Sequence, residues 1–271
     1  MIELKNEKIA VPVVLFAGLL WSFGPLVVRY MDQPQLVPWQ YIFGRGLTIF
    51  IILNLYLYFE EGINFYKNYK KIGKSGLLGG CGLGVAMISF IYSITNTSAA
   101  ITLLCLAAMP FFTALLAFLF LKERISLNVW ISIFIATIGI IIMAFGNTEK
   151  NSVIGFIFGI TSSIGFSIFS VTLRWRKETP KFTTVAVAGL FCFVVATMVI
   201  LTKNQPFFAT SYNSTMFSLH GTLVCLGLIL YSIGSKAIPA AELTLLSLTE
   251  VIGGIFWVWL TLFGINEVPS T

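Results

Sequence analysis

The chain has 271 residues, 57% of them hydrophobic and 10% charged, with a formal net charge of +6; ordinary soluble domains are roughly half apolar and a quarter charged. Such an apolar excess excludes a soluble domain, and the basic residues sit in short runs between apolar stretches, where they act as topology signals and not as a nucleic-acid surface. The composition predicts an all-α, polytopic membrane helix bundle.

A spanning helix needs about 20 apolar residues, and that length divides the chain into nine segments. These are 9–29, 38–58, 75–94, 97–121, 127–146, 152–173, 183–202, 215–234 and 240–263. The first opens as a signal peptide would, with Lys5 and Lys8 ahead of an apolar run. The run is too long for a signal core and continues through Trp21 and Pro25 without a small-residue cleavage site, so it reads as a retained helix. Trp21 and Ser22 are its candidate lining residues. The second segment, PWQYIFGRGL (38–47), carries Arg45 about one-third of the way in. Snorkelling or helix-end carbonyls could relieve its charge, or it could face a substrate.

The third segment has Gly76, Gly80 and Gly84 at four-residue spacing, a stripe for close helix approach, and ends in Tyr92 and Asn96. Its GGCGLG run follows no strand and precedes no Lys-Ser/Thr, so it is not a phosphate loop. The fourth offers Thr102, the sixth Ser163 and the eighth Tyr231; Pro25 and Pro110 are sites for kinks. The ninth contains SLTEVIGGIFWVWL, with Glu250 about halfway through the span. A charge at the bilayer centre costs about 2.5–3.5 kcal/mol on insertion scales, so Glu250 must look into the bundle. There it binds a cationic group or a proton, or fastens two helices. Thr244 and Ser247 precede it at three-residue steps, which at 3.6 residues per turn puts all three on one face of the helix. Trp257 and Trp259 read as an interfacial belt.

The cysteines, Cys81, Cys105, Cys192 and Cys225, all fall in apolar stretches and imply packing, with no disulfide framework. His220, the one histidine, is placed by the segment boundaries at the outer end of the eighth helix. No cluster for a metal and no nucleophile beside a base is apparent, so neither an enzyme, a metal nor a cofactor is expected. With the N-terminus in the cytoplasm, 13 Lys and Arg fall in cytoplasmic connections and 3 outside (Arg29, Lys150 and Lys203). That bias places the N-terminus inside.

An internal repeat carries the most information. AAITLLCLAAMPFFTALLAFLFLKERIS (99–126) aligns with AAELTLLSLTEVIGGIFWVWLTLFGINEVPS (240–270), so TLLCL matches TLLSL, Ala108 meets Glu250, Glu123 meets Glu267 and Ser126 meets Ser270. GLLWSFG from Gly18 echoes GITSSIG from Gly159, and YSI at Tyr92 echoes YSI at Tyr231. Segments one, three and four thus pair with six, eight and nine. A five-segment unit is odd, so the copies enter the membrane in opposite senses, the pattern of secondary transporters with a midplane site. The expected division is 1–146 and 147–271.

With PWQYIFGRGL, these elements resemble the EamA type of the drug/metabolite transporter superfamily. The resemblance implies ten helices in a five-plus-five arrangement around a central cavity, in a bacterial inner membrane. It also implies export of an amino acid or related metabolite, with protons as a coupling ion through Glu250. Glu250 falls on the acid of the family's "EP" element, where Val251 replaces the proline, so a proline kink is not expected there. The family's tenth helix has no counterpart after NEVPS, which is expected to reflect truncation. A facilitating channel and a membrane-embedded interaction protein are the competing classes. Substrate identity and oligomeric state stay open.

Overall fold

The structure is a computed structural model that describes residues 6–124, 126–146, 153–176 and 178–259, with their side chains except those of 132, 136, 139–146, 258 and 259. The repeat match of Glu267 and Ser270, the side chain of Trp259 and the end of the chain lie outside the described residues. Helices follow one another with short connections: α1 (Glu7–Ser22), α2 (Gly24–Tyr30), α3 (Pro38–Glu61), α4 (Lys67–Lys71), α5 (Gly73–Asn96), α6 (Ala99–Leu106), α7 (Met109–Leu116) and α8 (Leu127–Gly146). Then come α9 (Val153–Trp175), α10 (Lys181–Thr202), α11 (Ser211–Gly234), α12 (Ala240–Leu246) and α13 (Thr249–Trp259). Among the described residues eight stretches are long and apolar enough to cross a membrane, and α8 lies at the fifth segment read from the sequence. The all-α polytopic bundle is as the composition predicts.

Three spans read as continuous in the sequence are each broken within the span. Pro25 separates α1 from α2 because its ring has no N–H and crowds the carbonyl of the preceding turn; Phe23 is the shared cap. Pro110 sits in the first turn of α7, after a turn at Ala107 and Ala108 where the bonds shorten to Ala107 N–Leu104 O and Ala108 N–Cys105 O. The break between α12 and α13 is the unexpected one, since no proline is present there. Hydroxyls take over the local carbonyls instead: Thr244 donates to Ala241 O at 3.0 Å and Ser247 to Thr244 O at 2.7 Å. Leu248 and Glu250 then bond three residues back, to Leu245 O and Ser247 O, which tightens the turn.

Helix contacts come in matched sets. α5 packs on α9 as α1 does on α11; α10 packs on α5 as α3 does on α11; α1 packs on α13 as α9 does on α7. α3 packs directly on α10, and at their crossing the glycines meet reciprocally. A Cβ on Gly46 would lie 2.9 Å from Gly189 O and 3.0 Å from Phe193 N, and one on Gly189 would lie 2.9 Å from Gly46 O and 3.0 Å from Phe50 N. Gly80 and Gly84 of the predicted stripe face α10, where a Cβ would crowd Val187 and Phe191.

Candidate functional site

A cavity of about 500 Å³, counted to its open mouth, lies where the broken spans meet. Trp21 stands just before the first break, Leu106 and Met109 flank the second, and Glu250 follows the third; all four line the cavity. Arg45 of α3, Phe90 of α5, Ser162 and Phe166 of α9, and His220 of α11 complete its polar and aromatic lining. The remaining wall is aliphatic or thioether. A mainly apolar wall with a few converging polar groups is the usual form of a ligand pocket.

Arg45 is 5% exposed, and its Nε and Nη1 have no hydrogen-bond partner among the described residues. Its guanidinium carbon lies 5.7 Å from the centre of the Phe90 ring, a cation–π contact that covers one face. Glu250 is half-buried in the first turn of α13, where the positive end of the helix favours a carboxylate. No ion pair joins Glu250 to Arg45. Trp21 is held by a hydrogen bond from its Nε1 to Val224 O at 3.2 Å and by edge contact with Phe166, 5.5 Å between centroids.

The other candidates from the sequence lie away from the cavity lining. Tyr231 is fully buried, its hydroxyl 2.6 Å from that of Ser170. Ser22 donates to Leu19 O and receives a bond from Trp257 Nε1, and Trp257 also stacks on Phe23. Thr102 pairs with Ser93 at 2.9 Å, and Ser163 donates to Cys105 O at 2.5 Å. Asn96 is exposed and donates back to Tyr92 O, while Tyr92 packs on Trp39 and Phe158. Thr244 and Ser247 are spent on the break described above. The helix is interrupted at Ser247, so the 3.6-residue face that would align them with Glu250 does not exist. Hydroxyls in an apolar bundle satisfy backbone carbonyls before anything else.

His220 corrects its expected position. It is the tenth residue of α11, only 2% exposed, and bonded through Nδ1 to the hydroxyl of Tyr41. The ring fits because Gly24 has no Cβ: one there would lie 2.7 Å from His220 Nε2. The available signal was a single imidazole in an otherwise apolar span, since ionisable groups inside membranes mark functional positions by default. Among the described residues no cluster of His, Cys, Asp and Glu could hold a metal ion.

Beyond the cavity, arginines cap carbonyls at the ends of the bundle. Arg174, at the end of α9, donates to Ser235 O at 3.1 Å, Ile238 O at 2.6 Å and Glu123 Oε1 at 2.7 Å. Glu123 also accepts from Ala240 N at 3.3 Å and so caps the start of α12. Arg29, in the last turn of α2, donates to Ile94 O at 3.5 Å and Thr97 O at 3.4 Å.

The apolar spans and the cavity among them define an integral membrane protein with an internal site. The chain belongs to the EamA-like transporter family, which matches residues 8–145. It is similar to proteins of two Helicobacter pylori strains, each named an uncharacterized transporter; both are 25% identical over 249 residues, covering 89% of this chain and 80% of theirs. A solved crystal structure superposes with a TM-score of 0.70 at 17% identity, over 98% of this chain and 91% of that one; this shows the shared fold. The expected EamA type of the drug/metabolite transporter superfamily is thus the family of this membrane transporter.

Proposed function

We propose that the protein moves a small organic metabolite, an amino acid or related solute, by alternating access around the cavity at Arg45 and Glu250, and that it works as an exporter. One observation carries the reading. The cavity is lined from both halves of the chain, at the breaks of three spans. Trp21 and Ser162 occupy matched positions of GLLWSFG and GITSSIG, and both line it. Discontinuous helices meeting at the midplane between inverted repeats are the architecture on which rocking carriers are built.

The paired helix contacts and the reciprocal Gly46–Gly189 crossing support a division into repeats at 1–146 and 147–271. The distribution of Lys and Arg supports a cytoplasmic N-terminus in a bacterial inner membrane. In that orientation the network of Arg174, Glu123, Ser235 and Ile238 closes the cytoplasmic end, and Arg29 fastens the outer end. Protons are the proposed coupling ion, through Glu250.

The test is counterflow in proteoliposomes holding the purified protein. Labelled amino acids, amines and nucleosides are offered against unlabelled internal solute. Saturable exchange that falls in Glu250→Gln supports a carrier with Glu250 in its site or its coupling. Flux that neither saturates nor counter-exchanges means a channel. Absence of flux with every solute, at full folding, sinks the transport reading.

A further inference from the structure

Resting on the transporter reading, we infer that the cavity takes organic carboxylates with an apolar body, and that each is bound together with one proton carried by Glu250. The starting point is Arg45: a buried guanidinium, aimed into a cavity, with Nε and Nη1 lacking any hydrogen-bond partner among the described residues. A guanidinium cannot shed its proton in a protein, and a buried charge left unpaired is strongly disfavoured. The Phe90 ring screens one face but accepts no hydrogen bond in the guanidinium plane. What Arg45 lacks is a planar anion in that plane, and a carboxylate matches the donor fork.

Among the described residues Glu250 is the one acid lining the cavity, and it leaves Arg45 without an ion pair. It differs from Arg45 in one decisive way: it becomes neutral by taking up a proton. The charged and titratable groups facing it are Arg45 on α3 and His220 on α11. Of the helices packed on α13, α1 and α6 bring Trp21 and Leu106 to the cavity, and α2 brings no titratable side chain to it.

Charge accounting then links proton and substrate. With Glu250 ionised, the positive charge of Arg45 is already balanced within the cavity, and an entering carboxylate would leave a net negative charge away from water. With Glu250 protonated, the carboxylate itself balances Arg45. The site therefore loads one carboxylate and one proton, the proton bonding to a Glu250 oxygen, and the pair crosses without net charge movement. No ammonium on the substrate is required. Leu83, Met87, Met109 and Leu228 supply the wall for an apolar body, and methionines let that wall repack around different shapes.

The experiment is calorimetric titration of the purified full chain in uncharged detergent with three probes sharing a phenylethyl body: 3-phenylpropionate, phenylalanine and phenethylamine. Each titration is repeated over a pH series in two buffers of different ionisation heat, which reads the protons taken up on binding. Both carboxylates are expected to bind and phenethylamine is not. Proton uptake with 3-phenylpropionate should rise from zero toward about one as the pH climbs. Glu250→Gln, a fixed neutral stand-in for the protonated acid, should keep binding and lose the proton uptake. Arg45→Gln should weaken 3-phenylpropionate by roughly 30-fold or more, the cost of stripping one partner from a buried charge pair. Preferential binding of phenethylamine, proton uptake that survives in Glu250→Gln, or no binding of either carboxylate overturns the inference. Counterflow of any other solute would leave the transporter reading standing, so the two can fail separately.

Discussion

The crossing of α3 and α10 makes a quantitative prediction, because two glycines meet there with the same geometry seen from either side. Alanine at position 46 would place a methyl 2.9 Å from Gly189 O, 3.0 Å from Phe193 N and 2.8 Å from Cys192 Cβ; alanine at 189 meets Gly46 O at 2.9 Å and Phe50 N at 3.0 Å. Ordinary contact begins at 3.4 Å, so the helices must part by about 0.5 Å in either variant. The obstacles include main chain, which no rotamer change relieves. Overpacking of this kind costs about 1–3 kcal/mol, offset by the roughly 0.5–1 kcal/mol that alanine gains over glycine in a helix. A net loss of about 1–2 kcal/mol follows for Gly46→Ala and for Gly189→Ala. On the scale of chains this size, that lowers the melting temperature by roughly 2–8 °C. The double variant should lose less than the sum, because one separation of the helices admits both methyls. Thermal unfolding of the three variants in a common detergent decides the matter. An unchanged melting temperature in one single variant beside a clear loss in the other would refute the reciprocal crossing.

Other outcomes follow from single contacts. Arg174→Ala removes donors from Ser235 O and Ile238 O and the partner of Glu123. Loss of charge-assisted bonds worth about 1.5–3 kcal/mol should speed amide exchange over 235–240 by about tenfold or more, read by mass spectrometry. Unchanged exchange would mean that Arg174 does not hold that end closed. Tyr41→Phe leaves His220 Nδ1 buried without its partner and should destabilise by about 1–3 kcal/mol, while Tyr58→Phe, at an exposed position, should change little. Equal melting temperatures for the two would remove the Tyr41–His220 bond from the account. Single cysteines at Lys70 and Lys203 test the topology: in intact cells an impermeant maleimide should label the second and spare the first. The reverse pattern would invert the orientation.

Much of the architecture could be read along the chain because a bilayer imposes one-dimensional rules. A span must be long and apolar, and its ends must carry their charges on one side, so segment positions and the family-level pattern emerged from residue order alone. Arg45 and Glu250 stood out for the same reason: a charge inside a span is costly enough to be noticed without a partner in view. The hydroxyl candidates misled in location because a Ser or Thr is cheap to bury wherever a carbonyl is near. Nothing local distinguishes Ser163, bonded to Cys105 O, from Ser162, which borders the cavity.

The division between the two sources of information is clearest at positions 220 and 247. Residue order decided that His220 lies within a membrane segment, but its place beside Arg45 and Glu250 depends on how α11 is rotated against α2 and α3. That rotation is set by contacts with residues nearly two hundred positions away, Gly24 and Tyr41. At Ser247 the sequence promises an unbroken amphipathic face, whereas the folded chain breaks there without a proline and leaves Glu250 in the first turn of a new helix. Hydropathy and charge act on each residue separately, so they survive reading in one dimension. Rotation, helix breaks and the cavity they create arise from competition among hydrogen-bond and packing partners that only the assembled bundle brings together.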